Sequence, residues 1–107
     1  MSLRQEKVGE LLRQCSARFL ERESNRTSLI TVTRCSVSPD LEQATVFITV
    51  LPEKDTAKAL DFTKRKRRDL RQYIKKNLRL KKIPFMEIEI DEGELNRQKI
   101  DELLNNS

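Results

Sequence analysis

The run LITVTRCSV at residues 29–37 and the run ATVFITVL at residues 44–51 decide the fold. Both are dominated by β-branched residues and both alternate with a period of two, the pattern of a pleated surface with one buried side. Between them Ser38, Pro39, Asp40, Leu41 and Glu42 carry a Pro-Asp turn signal, and a connection this short joins antiparallel neighbours as a hairpin. A β-meander is therefore expected in the first half of the chain.

Upstream, Val8, Leu11, Leu12, Cys15, Phe19 and Leu20 recur at three-and-four spacing with charged residues between them, which predicts an amphipathic helix. The polar cluster Ser24, Asn25, Arg26, Thr27 and Ser28 reads as the loop that follows it. Downstream, Pro52 stops the second strand, and Asp55 is a candidate cap for a helix from Thr56 to Leu80, a span without glycine or proline. Ile83 and Pro84 mark its end. From Phe85 to Asp91 the chain alternates Met86, Ile88 and Ile90 against Glu87, Glu89 and Asp91, as a third strand would. Gly93 then turns into a last amphipathic helix that would pack through Leu95, Ile100, Leu103 and Leu104. The order helix-strand-strand-helix-strand-helix, without internal repeats, predicts one α+β domain over residues 1–107, a small sheet with helices on one face.

The chain has 107 residues, enough for one core, and 22 Lys and Arg against 17 Asp and Glu give a formal charge of +5. Cations that neutralise phosphates release condensed counterions, so nucleic acid is the leading partner class. There is no histidine, and Cys15 and Cys35 have no metal-ligand spacing, so both are expected in the core and no metal or cofactor is expected. No Gly-rich phosphate loop or nucleophile elbow occurs, which argues against an enzyme and a small-molecule substrate. Residues Met1 to Glu10 mix acids and bases without an apolar stretch, and no run is long enough to span a bilayer, so a soluble cytoplasmic protein is expected.

Eleven cations lie between Thr63 and Lys82, namely Lys64, Arg65, Lys66, Arg67, Arg68, Arg71, Lys75, Lys76, Arg79, Lys81 and Lys82, beside the single acid Asp69. On a straight helix Lys64, Arg68, Arg71, Lys75 and Arg79 would fall within an arc of about 80°, one basic stripe opposite Ala59, Leu60, Phe62, Leu70, Tyr73, Ile74 and Leu78. Stacked like charges destabilise an isolated helix, a cost an anionic partner removes. Thr63, Lys66 and Arg67 would point into the apolar arc, so either their stems run along the surface or the helix breaks there. Arg4, Lys7 and Arg13 on the first helix are candidate secondary contacts. Acids concentrate at the other end, from Glu87 to Glu102, which would orient the basic side toward a polyanion. Phe19, Phe47, Phe62, Tyr73 and Phe85 all sit at positions whose periodicity predicts core. RNA shape and backbone are thus favoured as targets over splayed bases.

The segment Asn25 to Leu51, NRTSLITVTRCSVSPDLEQATVFITVL, resembles the signature of the ribosome-binding factor A family: an amide and Arg turn, a VTxxxVS strand, DL, then an AxVxxxVL strand. Leu70, Arg71, Leu78, Arg79, Leu80 and Pro84 are similar to the family's helix end and LRxxP junction. Asp91, Lys99, Ile100, Leu103 and Leu104 resemble its closing pattern, with Lys99 where Arg is usual. The resemblance covers nearly the whole chain. It implies a type-II KH-like fold and a non-enzymatic, cytoplasmic protein that binds small-subunit rRNA during late processing and cold adaptation. Family members carry an Ala-x-Gly kink in the central helical region; here Lys66, Arg67 and Arg68 stand at those positions, leaving open a broken or a straight helix. Two other readings stay in play: a module whose basic helix docks an acidic protein, and a general nucleic-acid binder that also takes DNA. A monomer is expected, since the predicted core uses up the apolar residues.

Overall fold

The computed structural model describes residues 3–24 and 28–105. Its elements are α1 (Leu3–Glu23), β1 (Leu29–Val37), β2 (Gln43–Leu51), a 3-10 turn (Glu53–Asp55), α2 (Thr56–Arg65), α3 (Arg67–Asn77), β3 (Phe85–Ile90) and α4 (Glu92–Asn105). The loop expected at Ser24 to Ser28 has its centre, residues 25–27, outside the described residues.

The hairpin forms as the turn chemistry requires. Ser38 N–H donates to the Gln43 carbonyl at 2.9 Å, and the Asp40 carboxylate accepts from the Ser38 hydroxyl at 2.6 Å and from Glu42 N–H at 3.0 Å. Leu41 takes a left-handed φ of 61°, a strained conformation for a branched side chain that its packing against the core holds in place. β1 and β2 are antiparallel, with Thr33 as an extra residue where the register shifts between Val32 and Arg34. β3 joins β2 in parallel, setting Ala44 beside Met86, Val46 beside Ile88 and Ile48 beside Ile90.

One face of this three-stranded sheet, order β1-β2-β3, is dry. Val37, Ala44, Val46, Ile48, Val50, Met86 and Ile88 are buried there, against Leu12, Cys15, Phe19 and Leu20 of α1, Ala59 of α2, and Leu70 and Ile74 of α3. α1 lies over β1 and β2, α2 over β2 and β3, and α3 over β3. This is the type-II KH-like arrangement, with antiparallel β1 and β2, a helical pair as crossover, and parallel β3. No helix among the described residues is long and apolar enough to cross a membrane.

Four expectations need correction. The predicted helix over 56–80 is two helices: Lys66 (φ −92°, ψ 6°) breaks it, and α3 ends at Asn77, leaving residues 78–84 as an extended connection. The bridge region that Lys66 occupies is open to any L-residue, so the kink forms without Ala-x-Gly. Asp55 makes no side-chain cap; the Thr56 hydroxyl bonds the Glu53 carbonyl at 2.7 Å instead. Leu11 is exposed beyond one edge of the buried stripe, which extends instead to Gly9 and Ser16 at its other edge. Finally α4 buries none of its residues, and Ile100, Leu103 and Leu104 are 57%, 73% and 67% exposed. The apolar residues are therefore not all used by the core, which removes the argument on which the expected monomer rested.

Two predictions arise from α1. At Gly9 an added Cβ would stand 3.1 Å from the Cys35 carbonyl oxygen and 3.5 Å from Val37 Cγ2. Gly9→Val is expected to destabilise the protein by about 1–3 kcal/mol, through overpacking that outweighs the helix propensity gained. Chemical denaturation measures it. The Ser16 hydroxyl is buried with no hydrogen-bond partner among the described residues. Ser16→Ala, which removes that unsatisfied group and favours the helix, should therefore raise stability by up to about 1 kcal/mol, read in the same assay.

Candidate nucleic-acid interface

The break at Lys66 resolves the geometry that a straight helix would have made costly. Thr63 is buried, its hydroxyl satisfied by the Leu60 carbonyl at 2.8 Å. Lys66 turns away from the core toward Glu23 and Asp69, each 3.9 Å from its ammonium. Arg67 reaches over the edge of β3, where Nη1 donates to Glu87 at 2.8 Å. Both side chains therefore stay solvated and paired while Leu70 and Ile74 continue the buried side of α3.

The basic stripe expected on one helix does not exist as such. Lys64 belongs to α2, Arg68, Arg71 and Lys75 to α3, and Arg79 to the extended connection. What the fold builds is a track of two grooves. In the first, Lys64, Arg65, Arg67, Arg68 and Arg71, with the single acid Asp69, line a groove together with Phe85 at the start of β3. In the second, Arg79, Lys81 and Lys82 from the connection meet Arg4 of α1 beside Leu41 and Pro84. Arg71 stands at the junction, its Nη2 3.4 Å from the Ile83 carbonyl. Lys75 and Lys76 line a shallow cleft with Arg22, Tyr73 and Asn77 where α3 packs on α1, and this cleft meets the first groove at Asp69 and Gln72. Lys7 is exposed on α1 outside these linings, and Arg13 is engaged by Glu10 at 2.5 Å.

Pairing sorts the cations further. Arg65 lies 3.4 Å from Asp61, and Lys82 is held by Glu42 at 2.5 Å, a hydrogen bond that raises the ammonium's pKa. By contrast Lys64, Arg68, Arg71, Lys75, Lys76, Arg79 and Lys81 form no ion pair with any described residue. Cations left in water without carboxylates are the ones that can exchange their counterions for phosphates at no internal loss.

The opposite side of the molecule is acidic and differently organised. α4 carries Glu92, Glu94, Asp101 and Glu102, and its two cations are taken up by Glu94 (Arg97, 2.6 Å) and Glu53 (Lys99, 2.9 Å). Asp91, expected as one of three outward carboxylates without useful partners, is only 6% exposed. One oxygen accepts from the Thr33 hydroxyl at 2.6 Å and from Arg34 Nε at 3.3 Å, and the other accepts Glu94 N–H at 3.1 Å, capping α4. The Thr33 bond, more than the cap or the guanidinium, holds the Asp91 carboxyl below the ordinary aspartate range against the opposing effect of burial.

Phe85 is a further residue that sequence periodicity misplaces. Expected in the core, it is 55% exposed. The strand's own alternation carries the signal, because Phe85 shares the phase of Glu87 and Glu89, not that of Met86 and Ile88.

Residues 4–104 match the family described as Ribosome-binding factor A. The chain belongs to that family. It is 35% identical to the ribosome-binding factor A of Magnetococcus marinus over 98% of this chain and 89% of the relative, and 38% identical to that of Paramagnetospirillum magneticum over 97% and 77%. In fold it is similar to the crystal structure of ribosome-binding factor A from Thermus thermophilus, with a TM-score of 0.71 at 20% identity over 80% of this chain and 93% of that one. It is also similar to the Thermus thermophilus factor fitted, as a homology model, into a cryo-EM map of a 30S complex, with a TM-score of 0.61 at 20% identity over 84% and 93%.

Proposed function

We propose that this member of the ribosome-binding factor A family binds the rRNA of the small ribosomal subunit through the Lys64 to Lys82 track and assists late maturation of that subunit. The observation that carries the reading is the set of unpaired cations beside two grooves: Arg79 and Lys81 line one from the extended connection, and Lys64, Arg68 and Arg71 are held beside the other by helices. Donors fixed in this way can meet successive phosphates without ordering a loop first. Support comes from the family and from the Thermus thermophilus relative seen with 30S. The paired Arg65, Arg67 and Lys82 position the groove walls, Lys66 braces the helix break through Glu23 and Asp69, Arg4 extends the surface onto α1, Lys75 and Lys76 extend it along α3, and Lys7 is peripheral. The reading assigns the chain no reaction and places it in the cytoplasm.

Sedimentation with free small subunits, mature small subunits and whole ribosomes across a salt series tests this. Co-migration with free small subunits that is lost as salt rises is the expected result. Failure to associate with any ribosomal particle at low salt would overturn it.

A further inference from the structure

Phe85 is the only aromatic side chain among the described residues that is mostly in water. The others are buried or half-buried: Phe19 and Tyr73 pack with ring centroids 5.5 Å apart, Phe47 lies under the Arg34 guanidinium at 3.7 Å, and Phe62 sits beside Lys66. Phe85 is held on regular structure, since its N–H donates to the Glu42 carbonyl at 2.7 Å and its Cα is in register with Gln43. Arg67, fixed by Glu87, stands 5.7 Å from its ring centroid. Around it in the same groove are Lys64, Arg68 and Arg71, cations with no carboxylate partner, while the groove's one acid, Asp69, faces Lys66 at 3.9 Å.

An apolar ring exposed among cations has a specific complement. Leaving such a ring in water forgoes its burial energy, and an acidic peptide would satisfy the charges but not the π-face. A duplex offers phosphates and groove edges, whereas an unpaired nucleotide offers a phosphate and a base face together. We propose that this groove takes a single-stranded RNA segment, with one base stacked on Phe85 and the flanking phosphates held by Lys64, Arg68 and Arg71. The inference rests on the RNA-binding reading above and narrows it to unpaired RNA.

The chain contains no tryptophan, so Phe85→Trp installs a unique fluorophore at the stacking position. Binding of a short single-stranded RNA and of the same sequence as a duplex is to be measured for the wild type, Phe85→Ala, Phe85→Leu and Phe85→Trp across a salt series. The expected result is a loss of about tenfold in single-strand affinity for Phe85→Ala and for Phe85→Leu, which keeps apolar bulk without a π-face. Duplex affinity and the salt slope should stay unchanged. Phe85→Trp should retain binding, and its indole emission should be quenched by single-stranded RNA. Unchanged single-strand affinity in Phe85→Ala, with binding still lost on removing Lys64, Arg68 and Arg71, overturns stacking and leaves the RNA reading standing. No binding of either RNA by the wild type overturns both.

Discussion

Replacing Lys64, Arg68 and Arg71 together by Ala should leave the protein as stable as before and remove most of its affinity for small-subunit rRNA. None of the three side chains forms an ion pair with a described residue, and Arg71's contact with the Ile83 carbonyl is long at 3.4 Å. Loss of three exposed, unpaired cations is thus expected to shift stability by no more than about 0.5 kcal/mol. Each lost phosphate contact lowers the slope of log affinity against log salt by about 0.7–0.9, so the triple variant should lose roughly 2–3 in slope and on the order of a hundredfold in affinity at low salt. The control is Lys54→Ala, an exposed cation of the 3-10 turn outside both groove linings, which should change the slope little. A triple variant with the wild-type slope would sink the assignment of the track.

The largest stability effect is expected at Asp91. Its carboxylate joins three parts of the molecule: Thr33 and Arg34 of β1, the end of β3, and the first turn of α4. Asp91→Ala removes the cap and the charge-assisted bond from the Thr33 hydroxyl, which is left with the Phe47 carbonyl at 3.2 Å, and should cost about 2–4 kcal/mol. The Arg34 pair adds little, because that guanidinium is mostly exposed. A fall in Tm of roughly 10 °C or more follows for a domain of this size. Asp91→Asn keeps a capping side chain and should lose less, so the two variants separate the cap from the charge. The pH dependence has a definite sign. The folded carboxyl binds its proton less readily than the unfolded one, so the charge's contribution is complete above the unfolded value of about 3.9 and disappears as pH falls through the lower folded value. The gap between the wild type and Asp91→Asn should be constant at neutral pH and close in acid. A gap that widens below pH 4 would contradict the role given to this carboxylate.

Where local pattern and tertiary packing agree, the chain is legible residue by residue. The hairpin of β1 and β2, the buried side of α1 from Leu12 to Leu20, and the alternation of Met86 and Ile88 follow from period and turn chemistry, and their packing agrees. The break at Lys66 is different in kind. No glycine or proline announces it, and its trace in the sequence is indirect: Lys66 and Arg67 fall on the apolar arc of a straight helix, a conflict that the fold relieves by turning the chain there. The same limit hid the track. A helical wheel places Lys64 and Arg79 on one line, but only the crossover brings Arg4 beside Arg79 and Phe85 beside Arg68. Asp91 looks, from the strand's alternation, like one more solvated acid; its partners at Thr33 and Arg34 lie nearly sixty residues away and owe their position to the extra residue in β1. Periodicity reports which side of an element is dry. It does not report which loops and bulges will meet.

The parallel pairing of β3 with β2 has a consequence for how the chain acquires this surface. The two strands of the hairpin can find each other across a five-residue turn, a local and fast closure. β3 must instead close over everything from the 3-10 turn to Pro84, and that enclosed segment is α2, α3 and the basic connection itself. Until β3 docks, Phe85 has no fixed place beside Arg68, and Arg79 has none beside Arg4. The slow, non-local step of folding and the assembly of the nucleic-acid surface are then one event. A chain stalled after the hairpin would hold nearly all its positive charge and yet have no groove in which to use it.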